Sequence, residues 1–180
     1  MKKLFVSIDL SDEIAGYLAG FVKHLPRVHE CRLVPHENYH ITANFIGYVG
    51  EDIIGEIKTR LEKVSLSNGP FYLELEKMIA GPPNKTPRQI WAVLNESPQY
   101  NKLTNNLRES LIQFSDSKLK EMIPHVTLVR CYKPDKNLRQ FEREIEPGRS
   151  MLVGNLFLME SIQASKGVYY KPLAEYKLRG

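Results

Sequence analysis

The triplet His-x-Thr occurs twice, at His40-Ile41-Thr42 and at His125-Val126-Thr127, and each copy lies inside a run of alternating apolar residues. Alternation constrains the local structure, because successive side chains of a strand point to opposite faces. Around the first copy, His40, Thr42 and Asn44 share one face, while Tyr39, Ile41, Ala43 and Phe45 take the face that packs. Around the second, His125 and Thr127 share a face and Val126 and Leu128 pack. Each copy therefore presents an imidazole and a hydroxyl about 7 Å apart on a strand, a good platform for fixed geometry. The chain has five histidines. His24 falls late in a helix, and His29 and His36 lie in a polar connection, so those three carry no functional expectation.

The rest of the chain mixes both periodicities. "LFVSIDL" alternates as a strand, with Leu4, Val6, Ile8 and Leu10 opposite Phe5, Ser7 and Asp9. Ser11 is a good N-cap, Asp12 and Glu13 suit a first helical turn, and Ile14, Leu18, Phe21, Val22 and Leu25 follow at helical spacing until Pro26. A strand is expected over 38–46, and a helix over 51–64 with Ile53, Ile54, Ile57, Leu61 and Val64 inward. "PFYLELEKM" and "QIWAVLN" read as strands around a Pro-rich basic loop. Ser97 and Pro98 open a third helix with Leu103, Leu107, Leu111 and Phe114 as its stripe. The second motif strand covers 124–130, "DKNLRQFEREI" a short helix, and "SMLVGNLFLMES" and "VYYKPLAEYKL" two final strands. No linker separates these elements, so residues 1–180 read as one α+β domain with antiparallel sheets.

Charge narrows the partners. A net charge of +4 and a pI near 9.0 permit an anionic ligand, without the Lys/Arg clustering of a duplex-DNA binder. No apolar run is long enough for a membrane helix, and Asp9, Asp12 and Glu13 interrupt any leader-like start, so a soluble cytoplasmic protein is expected. Cys31 and Cys131 form no CxxC pair and read as two free thiols. No CxxC pair calls for a metal, and no metal, cofactor or obligate protein partner is expected.

Two such strands facing each other make a groove with two imidazoles and two hydroxyls. Phosphodiester hydrolysis needs a base to activate water and an acid to protonate the leaving oxygen. Histidine titrates near neutrality, so one ring can serve as each. The hydroxyls can hold the non-bridging oxygens. This symmetry does not say which ring is the acid.

At this point the chain resembles the two-histidine phosphoesterase superfamily, and within it the RNA 2′,3′-cyclic phosphodiesterases formerly called 2′-5′ RNA ligases. The resemblance lies in "LFVSIDL", "LVPHENYHITANFIG", "PRQIWA", "PHVTLVR", "LFLMES" and "GVYYKPLAEYKL", and spans nearly the whole chain. It implies a bilobal fold with two antiparallel sheets flanking a central groove and helices outside. It also implies opening of an RNA 2′,3′-cyclic phosphate to a 2′-phosphomonoester, with 2′-5′ RNA ligation as a side activity. In that scheme His40 is the proton donor, His125 the proton acceptor, and Thr42 and Thr127 bind phosphate. Phe45 and Arg130 match the aromatic and basic residues after the motifs and become candidate substrate contacts. Alternation argues against both, since Phe45 shares parity with Ile41 and Arg130 with Val126. Lys85 and Arg88 are candidate RNA-backbone contacts on a basic loop. Where relatives often carry an aromatic or His before the second motif, this chain has Met122 and Ile123, leaving a less aromatic rim. Other readings are a phosphodiesterase for a small nucleotide such as ADP-ribose 1″,2″-cyclic phosphate, a non-catalytic RNA-end binder, and a metal hydrolase.

Overall fold

Strand alternation and helical stripes build a sheet with helices packed on it. The computed structural model describes residues 1–25, 30–115, 122–165 and 167–180. The strands are β1 (Lys2–Asp9), β2 (Cys31–Leu33), β3 (His40–Val49), β4 (Phe71–Gly81), β5 (Gln89–Leu94), β6 (His125–Cys131), β7 (Arg143–Glu144), β8 (Ser150–Val153), β9 (Asn155–Ala164) and β10 (Gly167–Lys177). The helices are α1 (Asp12–Lys23), α2 (Ile54–Leu66) and α3 (Pro98–Leu111). The Pro26 stop and His29 lie outside the described residues.

The helices form where caps and stripes put them. Ser11 Oγ accepts the Ile14 amide at the start of α1, and Ser97 Oγ accepts the Tyr100 amide at the start of α3. Ile14, Leu18 and Val22 of α1 are buried, as are Ile57, Leu61 and Val64 of α2 and Tyr100, Leu103, Leu107 and Leu111 of α3. Each such side chain contributes roughly 1.5–3 kcal/mol by leaving water. Phe114 falls beyond α3 and is only partly buried, with the Arg60 guanidinium 5.2 Å from its ring. The short helix expected over "DKNLRQFEREI" is a 3-10 turn over Lys136–Phe141.

All pairings are antiparallel, in the order β10-β9-β1-β3-β6-β5-β4-β7, with β2 beside β6 and β8 beside β4. The expected two sheets are thus joined edge to edge by β3 and β6, through one ladder pair, Ile41↔Val126. Those are the middle residues of the two His-x-Thr triplets. The antiparallel sense runs His40 toward Thr127 and Thr42 toward His125, so a pseudo-twofold axis passes through the centre of both motifs. "SMLVGNLFLMES" is two strands rather than one. Before Gly154, β8 pairs with β4; after it, β9 pairs with β1, and the chain passes from one half of the sheet to the other.

The cysteines are not free thiols: Cys31 and Cys131 form a disulfide across 100 residues. They are register partners on β2 and β6, and that cross-strand position is invisible in a sequence whose β2 is three residues long.

Candidate active site

Two bulges decide which side chains reach the groove. In β1–β3 the register steps from Val6↔Asn44 to Ser7↔Thr42, skipping Ala43. In β5–β6 it steps from Ile90↔Val129 to Trp91↔Thr127, skipping Leu128. Each motif strand therefore bulges at the residue directly after its threonine. A bulge puts two residues opposite one and reverses the parity beyond it. Leu128 and Val129 are both buried, and Arg130 lands on the side of His125 and Thr127. Phe45 lands on the side of His40 and Thr42, is 52% exposed and lines the groove. The alternation argument against Phe45 and Arg130 is overturned for this reason.

His40, Thr42, His125 and Thr127 line one cavity of about 990 Å³. The two rings are held alike. The Asn38 carbonyl accepts from His40 Nδ1 at 2.8 Å, and the Ile123 carbonyl accepts from His125 Nδ1 at 2.8 Å. In both halves the acceptor is two residues before the histidine. This selects the Nδ1–H tautomer and leaves Nε2 for chemistry. Thr42 Oγ1 lies 3.1 Å from His40 Nε2.

Aromatic groups fix the ring planes. His40 packs against Phe5 of β1 and Tyr170 of β10, with centroids 5.0 and 4.9 Å away. Trp91 of β5 stacks on His125 at 3.9 Å and 23°. Trp91 Nε1 donates to Gln89 Oε1 at 2.6 Å, and Thr127 Oγ1 donates to the same oxygen at 3.5 Å. Gln89 thereby orients the aromatic plate and the hydroxyl together. Gly81 makes room for the plate, since an added Cβ there would come within 2.5 Å of the Trp91 ring. Asn38 is tied down by its own Nδ2, which donates to the Val168 carbonyl at 3.1 Å.

Sequence reasoning missed Trp91, Gln89, Tyr170, Phe5 and Asn38 as site residues. Met122 and Ile123 do line the groove, yet the rim is aromatic through Trp91, Tyr170 and Phe45 from other strands. The chain's one tryptophan, two residues after Gln89 on an alternating strand, was the available signal. Lys85 lies in a separate shallow cavity with Lys136 and Arg139, and Arg88 donates to the Tyr132 carbonyl at 3.0 Å. Neither Lys85 nor Arg88 lines the main groove, although Pro82 of the same loop does. His36 pairs with Glu37 on the surface. Among the described residues no three His, Cys, Asp or Glu side chains gather into a group that could hold a metal ion.

Burial pushes the His40 ring down to about 4, with Arg130 and His125 lowering it further against the opposing Asn38 carbonyl. Burial also lowers His125, again with a contribution from Arg130 and against the Ile123 carbonyl. Both rings are therefore neutral at pH 7, and a bound anion favours returning a proton to one of them. The unfolded chain binds this proton more readily, so stability is fully present above about 6.5 and falls as the pH drops toward 4. NMR titration should place the His40 midpoint near 4 in the free protein, and inorganic phosphate should raise it. His40→Gln should flatten the decline of the melting temperature across that window. An unshifted midpoint would contradict the buried-ring picture.

Residues 8–91 match the model of the family described as LigT like phosphoesterase. An RNA 2′,3′-cyclic phosphodiesterase of Archaeoglobus fulgidus is 30% identical over 177 residues, covering 97% of this chain and 99% of its own. One of Thermotoga maritima is 26% identical, covering 99% and 96%. A crystal structure from Thermus thermophilus superposes with a TM-score of 0.87 at 23% identity, covering 99% of this chain and 98% of its own. Escherichia coli LigT complexed with 3′-AMP superposes with a TM-score of 0.83 at 23% identity, covering 99% of both chains. With bulged His-x-Thr strands joined at their centres and full-length similarity to such relatives, this chain belongs to the LigT-like phosphoesterases, the family of the RNA 2′,3′-cyclic phosphodiesterases.

Proposed function

We propose that this protein hydrolyses the 2′,3′-cyclic phosphate at an RNA 3′ end to a 2′-phosphomonoester, using the whole chain as one catalytic domain. The observation that supports it most is the matched anchoring of His40 and His125, each Nδ1 tied to a carbonyl two residues upstream, around a single groove. The relatives bearing the name RNA 2′,3′-cyclic phosphodiesterase supply the substrate class.

In the proposed reaction a water attacks phosphorus while His125 Nε2 takes its proton. The P–O3′ bond breaks, and His40 Nε2 gives its proton to O3′. The phosphate stays on O2′, and a proton exchange with solvent resets the rings. Thr42, Thr127 and Arg130 hold the non-bridging oxygens. The donor role of His40 comes from the family resemblance. Burial by itself strongly disfavours a proton on that ring, so the role requires the bound phosphate to raise its proton affinity. No metal enters this scheme, and attack by the 5′-OH of another strand in place of water, with the same P–O3′ cleavage, gives a 2′-5′ linkage. No helix among the described residues is long and apolar enough to cross a membrane. Cytoplasmic residence is proposed from the RNA substrate alone, and the Cys31–Cys131 bridge argues the other way.

The deciding experiment is product analysis of a 2′,3′-cyclic-ended oligonucleotide in EDTA. The expected product carries a 2′-phosphate. A 3′-phosphate would reverse the leaving-oxygen assignment. Binding without turnover would leave an RNA-end binder, and faster turnover of ADP-ribose 1″,2″-cyclic phosphate would move the substrate to a small nucleotide.

A further inference from the structure

The groove does not end at the histidines. It continues along α3, whose Asn101, Thr104, Asn105 and Arg108 line it at helical spacing. Tyr100, Leu103, Leu107 and Leu111 anchor the opposite face of the helix in the core. The polar face is therefore held beside the site by a buried apolar face. Arg108 and Arg130 are the two Lys or Arg residues among the described groove-lining side chains, and Glu96 is the one carboxylate. Among the described residues Arg108 forms no ion pair. Glu96 precedes the α3 N-cap, a little over three turns from Arg108, so the two side chains put opposite charges on well-separated parts of the helix. Phe45 and Ile112 are 52% and 56% exposed on the same stretch of groove.

Resting on the RNA-end reading above, we propose that this face of α3 is a second nucleotide subsite, in which Arg108, flanked by Asn105, binds the phosphodiester linking the last two nucleotides. A cyclic phosphate closes the 3′ end, so the remaining chain must leave the catalytic pair in the 5′ direction. The groove toward α3 is continuous with that pair, and Arg108 is the cation on that stretch. Asn101 and Asn105 add donors for phosphate or ribose oxygens, and the apolar pair Phe45 and Ile112 gives the adjoining base a dry surface. Arg130 serves the reacting phosphate, and Arg108 serves the one before it.

The test compares two substrates on the full-length protein: adenosine 2′,3′-cyclic phosphate, and a trinucleotide ending in the same group. Arg108→Gln should lower kcat/KM on the trinucleotide about 10-fold, the loss expected for one charge-assisted phosphate contact. It should leave the mononucleotide within about two-fold. The salt dependence of log kcat/KM on the trinucleotide should become shallower by about 0.7, the value for one single-strand phosphate contact. Asn105→Ala should change the same substrate in the same direction, more weakly. Equal losses on both substrates, or none on either, would overturn the subsite. If the unmodified protein turns over neither substrate, the phosphodiesterase reading falls and the subsite with it. Turnover of both with no Arg108 effect removes the subsite alone.

Discussion

His40→Ala and His125→Ala should each lower turnover of a 2′,3′-cyclic-ended oligonucleotide by about 10²–10⁴-fold, the range for losing one general acid or base. Both rings are held by backbone carbonyls and stacked aromatics, so neither can move to take over the other's work. The double variant should be little worse than the poorer single one, because the two act in one transition state. Roles separate with a substrate whose bridging 3′ oxygen is replaced by sulfur. A thiolate leaves without protonation, so that substrate should largely restore His40→Ala and leave His125→Ala inactive. Restoration of His125→Ala instead would exchange the roles, and near-normal turnover by either single variant on the oxygen substrate would remove the two-histidine mechanism. Circular dichroism and melting curves keep loss of fold apart from loss of chemistry.

Arg130→Gln should lower kcat/KM by roughly 10–100-fold, as expected when a charge-assisted contact to phosphate is lost. A second effect follows from its charge acting on both rings. The guanidinium lowers the proton affinity of both His40 and His125. Removing it should raise both, so the acid limb of the kcat/KM profile moves to higher pH. A purely packing role predicts lost stability without movement of that limb. A pH profile of the variant, fitted to the two apparent values of the coupled pair, decides between them.

Much of the fold was legible because its signals are local. Ser11 and Ser97 cap helices where short-range spacing placed them, and the buried stripes of α1, α2 and α3 follow helical periodicity. The motif strands were legible from alternation, and so were the faces of His40, Thr42, His125 and Thr127. Alternation then failed at Phe45 and Arg130, one bulge beyond each threonine. The Cys31–Cys131 bridge and the split at Gly154 were missed for a related reason: both depend on which distant strand lies alongside. Trp91, Tyr170 and Phe5 reach the histidines from three other strands, and their own segments show only ordinary strand patterns.

By itself, the sequence determined the chemical groups of the site and the strands that carry them, since side-chain type and a two-residue period are local properties. Only the tertiary structure decided that the two triplets meet through Ile41 and Val126, and that bulges at Ala43 and Leu128 turn Phe45 and Arg130 into the groove. A bulge exists only relative to a partner strand, and its hydrogen bonds join residues far apart along the chain.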